Sequence, residues 1–155
     1  MKYMFDMDGV LFDWEGGFQK MFGDLEICKD HEKLKQLKQL MPGFGFYEQL
    51  APLPLIEVLK KHKGKFGILT SVGKYECEEV ALQKQRALKK ALGYIPPFIW
   101  VQSSGDKAQY ATNDTLLIDD RDKALIPFSV AGGAILRYKG GESQDRFIDN
   151  LLAAA

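Results

Sequence analysis

The stretch FDMDGVLFD, residues 5–13, decides how the rest of the chain reads. It closes a short apolar run, KYMFDM over residues 2–7, with two carboxylates and Gly9. That is the pattern of a buried strand running into a functional loop. Beyond it, Val10, Trp14, Phe18, Met21 and Phe22 fall roughly on one helical face, although Gly16 and Gly17 weaken that helix. A second amphipathic helix is expected from Asp30 to Met41, with Leu34, Leu37 and Met41 on one side. Lys33, Lys35 and Lys38 read as its solvated face. MPGFGFYEQLAPLP, residues 41–54, is a loop by its Gly and Pro content, and Pro54 suits the first residue of a helix running to about His62.

Further along, KFGILT (65–70) reads as a second strand, and a long helix from Tyr75 to Leu92 is stopped by Gly93. Phe98–Val101, Thr115–Ile118 and Ala134–Tyr138 are the third, fourth and fifth strands, and Ser143–Leu152 is a final helix. Strands alternating with helices imply right-handed crossovers, and so an α/β fold with a Rossmann-like, parallel five-stranded sheet. The chain between strand one and the helix before strand two is longer than one crossover requires. The surplus reads as a small helical cap over residues 23–51, leaving residues 1–22 and 52–155 as the core.

The 155 residues suffice for one core and a modest insertion. A composition 46% hydrophobic and 27% charged is that of a packed globular protein. The 21 basic and 21 acidic side chains cancel, which removes any global field toward nucleic acid or anionic lipid. Long nucleic acid, whose binders present a basic stripe, is therefore not the expected partner. No run approaches the roughly 18 apolar residues of a membrane span, so no membrane partner is expected. Lys2 is not followed by the apolar run of a secretory signal, so the expected location is cytoplasmic. Cys28 and Cys77 have no metal-type spacing and are expected to be free thiols.

In an open parallel sheet, ligands bind outside the carboxyl ends of the strands. Strand one delivers Asp6 and Asp8 there, strand two Thr70 and Ser71, and strand four Asp119 and Asp120, while Lys107 follows strand three. Carboxylate oxygens are the hard ligands that Mg²⁺ prefers. A phosphoryl group needs its oxygens neutralised, and Lys107 with donors at Thr70–Ser71 would serve. Asp6 can act as a nucleophile toward phosphorus. Asp8, two residues on, can serve as acid and then base. Adjacent carboxylates at Asp119–Asp120 repel one another unless a cation sits nearby.

Taken together, these residues resemble the haloacid dehalogenase (HAD) superfamily. FDMDGVLFD is similar to its first motif, ILTS to its second, the lysine of SSGDKA to its third and LLIDD to its fourth. The resemblance implies that Asp6 is nucleophile and Mg²⁺ ligand, and that Asp8 is the acid/base whose backbone carbonyl also faces the metal. It further implies Asp119 as a metal ligand with Asp120 supporting, Thr70 and Lys107 holding the phosphoryl group, and phosphatase or phosphomutase chemistry.

DMDGVLFDWEGGF, PGFGFYEQLAPLP, ILTSVGKY and LLIDDRD more narrowly resemble the 5′(3′)-deoxyribonucleotidases. In that family cap aromatics sandwich the base of a nucleoside monophosphate. The corresponding positions here are Trp14 and Phe44 or Phe46, and Lys74 corresponds to a lysine near the phosphate. Stacking of this kind is worth about 1–3 kcal/mol per base. The resemblance also implies a homodimer. Against that family the cap is shorter, and SSG stands before Lys107 where an arginine is usual. Two alternatives stay open: a phosphatase of another substrate class, such as a polynucleotide 3′-phosphate or small metabolite, and a non-catalytic regulatory protein on the same fold.

Overall fold

Five short strands form the sheet: β1 (Lys2–Phe5), β2 (Gly67–Ser71), β3 (Phe98–Val101), β4 (Thr115–Asp119) and β5 (Ala134–Arg137). The computed structural model describes all 155 residues and arranges the strands in the order β3-β2-β1-β4-β5, every pair parallel. The expected α/β class and five-stranded parallel sheet are therefore observed. β1 is central, and the chain builds outward to β3 before crossing back to place β4 on its other side. The topological switch point thus lies at the ends of β1 and β4, where such sheets bind ligands.

Side-chain alternation along the strands feeds two apolar layers. Phe5, Ile68, Leu116 and Ile118 join one cluster with Leu55 and Leu59 of α3 (Leu55–Lys60), Leu88 of α4 (Cys77–Leu92) and Ile148 of α6 (Glu142–Ala153). Leu69, Val101 and Leu117 face the other way, onto Ala124, Leu125 and Phe128 of α5 (Asp122–Val130). The sequence reading assigns no element to this last helix. Pro127 lies inside it and cannot supply a helical N–H, yet burial of the three apolar residues holds the turn structure on either side. Helix α4 begins at Cys77, two residues later than expected, because Glu76 takes a left-handed φ of 50° before it.

The excursion between β1 and α3 is closed at its base by the chain itself. Phe12 bridges Pro52, the Asp13 N–H donates to the Ala51 carbonyl (2.9 Å), and the Leu53 N–H donates to that of Leu11 (2.8 Å). Between these pairs lie α1 (Trp14–Phe22), α2 (His31–Leu40) and short 3₁₀ turns at Leu25–Lys29, Met41–Phe44 and Phe46–Glu48. The two glycines that weaken α1 on propensity have a steric reason. A Cβ at Gly16 would collide with the Asp13 carboxylate, which caps the helix by accepting the Gly16 N–H, and a Cβ at Gly17 would collide with Leu50. Asp30 caps α2 in the same way, accepting from the Glu32 and Lys33 N–H groups. The expected loop after α2 is compacted into its two 3₁₀ turns by Gly45, at φ 64°.

Candidate active site

The parallel pairing of β1 and β4 sets the site's geometry. Phe5 lies beside Ile118, and the Asp6 N–H donates to the Ile118 carbonyl (2.9 Å), so the chain delivers Asp6 and Asp119 side by side. Asp120 follows directly. Ligand oxygens of Asp6, Asp119 and Asp120 all lie within 4.8 Å of one another. Gly9 makes room for this cluster: its φ is +80°, and a Cβ there would run into the Asp120 carboxylate.

Lys107 enters from the 3₁₀ segment Ser104–Tyr110 and is itself buried. Its Nζ donates to Asp6 Oδ1 (2.9 Å) and to Asp119 Oδ2 (2.7 Å). Burial opposes its charge, but the two carboxylates outweigh that and raise its pKa above the ordinary lysine value. Asp119 is nevertheless raised, by burial first and then by the charge of Asp6, with Lys107 working against both. Asp120 is pushed up to about 8, by burial and then by the charges of Asp6 and Asp119. Its Oδ1 is buried with no hydrogen-bond partner.

A second lysine, which the sequence reading does not single out, completes the site. Lys84 on α4 is buried and donates to Asp8 Oδ2 (3.0 Å), Thr70 Oγ1 (2.8 Å) and the Ser71 carbonyl (2.8 Å). It thereby ties the loop after β1 to the end of β2. Asp8 Oδ1 accepts no protein hydrogen bond, and the Asp8 side chain is 29% exposed, whereas Asp6 and Asp119 are buried. A helical signal for Lys84 does exist: it stands four residues from Val80 and four from Leu88, both buried, on one stripe of α4.

The donor set suits a hard divalent cation. With every group charged, Asp6, Asp8, Asp119 and Asp120 exceed Lys84 and Lys107 by two negative charges. The unpartnered Asp120 oxygen marks where that excess is least relieved. Asp6, Asp119 and Asp120 are the side chains that would hold the ion. The Asp8 carboxylate stands apart from this group and is engaged by Lys84, so the expectation of Asp8 as a metal residue does not extend to its side chain.

The expected substrate-binding residues divide. Trp14 is half-buried, stacked on Phe18 at 5.3 Å. Phe44 is exposed at the rim of the cap. Phe46 is buried in the core between Trp14, Phe22 and Tyr47, which leaves its ring no free face for a base. Tyr47 takes the inward position instead: Lys84 Nζ lies 5.1 Å from its ring centroid, and burial followed by the charge of Asp8 raises its phenol. Lys74 is exposed in the turn after β2 and makes no ion pair, and Ser71 contributes its backbone carbonyl to Lys84. Lys38 is exposed, as expected of the solvated face of α2. Although open to solvent, it is held below the usual lysine range by surrounding protein and then by the positive charges of Arg121 and Lys123. Cys28 and Cys77 are free, as expected. No helix is long and apolar enough to cross a membrane.

With this geometry in hand, the chain can be set beside known proteins. It is similar to the crystal structure of a HAD-superfamily hydrolase, subfamily IA, variant 1, from Geobacter sulfurreducens PCA, with a TM-score of 0.59. The superposition covers 97% of this chain and 95% of that one, at 15% sequence identity. The fold is shared. No protein-family model matches the chain, and no curated protein matches it in sequence. The shared fold spans both the sheet and the cap, since nearly the whole of each chain is covered.

Proposed function

We propose that this protein is a Mg²⁺-dependent phosphomonoesterase of the HAD type, acting on (deoxy)ribonucleoside monophosphates through an aspartyl-phosphate. The observation that carries the reading is the convergence, at one switch point, of Asp6, Asp119 and Asp120 with Lys107, beside Asp8 held by Lys84. A bound Mg²⁺ would neutralise phosphoryl oxygens and the crowded carboxylates.

The chain's own residues account for the rest. An Asp6 carboxylate oxygen attacks phosphorus as the P–O bond to the leaving alcohol breaks, and Asp8 gives that oxygen a proton. The same Asp8 then takes a proton from water, which attacks the phosphorus of the aspartyl-phosphate. Inorganic phosphate leaves and Asp6 is restored. Lys84 engages one Asp8 oxygen and leaves Oδ1 available for the proton. Such acid/base help is worth about 10²–10⁴-fold.

For the nucleotide, support comes from Tyr47, whose ring centroid lies 5.1 Å from Lys84 Nζ, and from Trp14, which stays half-buried where Phe46 is sealed in the core. The burial of Phe46 removes one expected base contact and favours, as a second reading, a phosphatase for a non-nucleotide metabolite. A panel of monophosphates with Mg²⁺ separates the two: nucleotides should lead, and sugar phosphates or phosphoserine outrunning every nucleotide would reject the first. Asp6→Asn should abolish turnover while leaving the melting profile of a folded protein. Unchanged activity in that variant would sink the nucleophile assignment.

A further inference from the structure

The Lys84 ammonium is sealed from water, its side chain only 2% exposed. Its three hydrogens have three acceptors: Asp8 Oδ2, Thr70 Oγ1 and the Ser71 carbonyl. Of these, Asp8 alone can carry a charge. A buried ammonium is costly unless its surroundings offset it. The Tyr47 ring, supplied by the cap, lies against the same group, with Nζ 5.1 Å from its centroid. An aromatic face attracts a cation at that distance, and exclusion of water strengthens the attraction.

The ring is itself held in place. The Tyr47 N–H donates to Oε1 of Gln83 (3.3 Å), the residue before Lys84, and the Tyr47 hydroxyl donates to Met41 Sδ (3.8 Å). Phe46 meets it edge to face, with ring centroids 5.1 Å apart. Burial, followed by the charge of Asp8, raises the phenol above the ordinary tyrosine value, so the ring stays neutral. That constancy bears on the reaction. The pull of Asp8 on Lys84 weakens whenever Asp8 carries the proton, because the carboxylate has become a neutral acid. The attraction of the ring is the same in both states.

We propose that Tyr47 is a positioning residue for the acid/base, acting through Lys84: its ring steadies the ammonium that holds Asp8 while Asp8 gains and loses its proton. Resting on the phosphomonoesterase reading, this gives the cap a part in turnover that needs no contact with the bond being broken. A ring that only stacked a base would act on KM. A ring that steadies Lys84 acts on kcat.

Steady-state kinetics with Mg²⁺, on the monophosphate the parent turns over fastest, test this. Tyr47→Leu should lower kcat about tenfold, with KM within about threefold of the parent. Tyr47→Phe gives up the contact to Met41 but keeps the ring, and should recover kcat to within about threefold. On a Lys84→Met background, Tyr47→Leu should cost less than about twofold more, because the group it acts through is gone. Melting temperatures show that each variant is folded. By NMR, the Lys84 ε-methylene protons should resonate upfield of those of exposed lysines, a ring-current shift kept in Tyr47→Phe and lost in Tyr47→Leu. An effect of Tyr47→Leu confined to KM, a Phe variant as slow as the Leu variant, an undiminished effect without Lys84, or an absent upfield shift overturns the proposal. Failure of the phosphatase reading shows separately, as no turnover of any monophosphate by a parent that keeps the upfield shift, and it rejects the role in turnover with it.

Discussion

Replacing Asp120 by Asn should stabilise the metal-free protein while weakening its response to Mg²⁺. The Asp120 carboxyl is pushed from 3.8 to about 8 by burial and by its neighbours Asp6 and Asp119. A raised carboxyl favours folding fully below its unfolded value, and that contribution is lost as pH rises toward its folded value. Stability tied to this group therefore falls from about pH 4 to about pH 8 and then levels. At roughly 1.4 kcal/mol per pH unit between the unfolded value and pH 7, the upper bound is about 4 kcal/mol. The group is only partly shielded from water, and screening reduces this to about 1–2 kcal/mol. Asn keeps the shape, drops the charge and can donate to the carboxylates beside it. In EDTA at pH 8 the variant should melt roughly 2–8 °C above the parent, by the usual scaling for a domain of this size. The gap should close toward pH 4. Added Mg²⁺ should raise the parent more than the variant, and its binding at pH 7 should release close to one proton from the parent, read by calorimetry in buffers of different ionisation heat. A variant that melts at or below the parent in EDTA at pH 8 would refute this account of the charge.

Three other substitutions probe the site from outside the metal ligands. Gly9→Ala combines a left-handed φ, worth about 1–2 kcal/mol in strain, with a collision against Asp120. Mg²⁺ affinity should fall about 10–100-fold by calorimetry, and wild-type affinity would show that the close approach is unimportant. Lys84→Met removes the hydrogen bonds to Asp8 and Thr70 from a buried position. Turnover of the folded protein should drop on the order of 10²-fold and the melting temperature should fall, since Asp8, Thr70 and the Ser71 carbonyl lose a buried partner; a change in turnover under twofold would remove Lys84 from the site. Gln83→Leu leaves the Pro42 carbonyl and Tyr47 N–H without their partner, which should cost about 1–3 kcal/mol in urea unfolding.

The side chains of the candidate site were legible because strand ends announce themselves. An apolar run that stops at a carboxylate marks both a fold position and a chemical group, so Asp6, Asp119 and Asp120 read together. Lys84 was hidden among the charged residues of α4, and only the spacing Val80, Lys84, Leu88 betrays that it faces inward. The aromatics of the cap loop offered no such spacing. Phe44 and Phe46 are two residues apart in a Gly-containing segment, and the left-handed Gly45 between them sends one outward and the other into the core. α5 was obscured by Pro127, a local penalty overridden by burial of Leu125 and Phe128 against the sheet.

The placement of Gln83 and Lys84 explains how a small cap can be kept in register with the chemistry. Gln83 donates to the Pro42 carbonyl (2.7 Å) and accepts from the Tyr47 N–H (3.3 Å), which pins the last turns of the cap to α4. The very next residue holds Asp8 and Thr70. Arg86, three residues on from Gln83, pairs with Glu48 (2.6 Å) at the exposed rim of the same contact. Because consecutive residues of one helix grip the cap and Asp8, segment 41–48 cannot shift on its own without breaking Gln83's hydrogen bonds. The tethered turns thereby keep Tyr47 over Lys84, so the aromatic side of the site and the Asp8 carboxylate share one support.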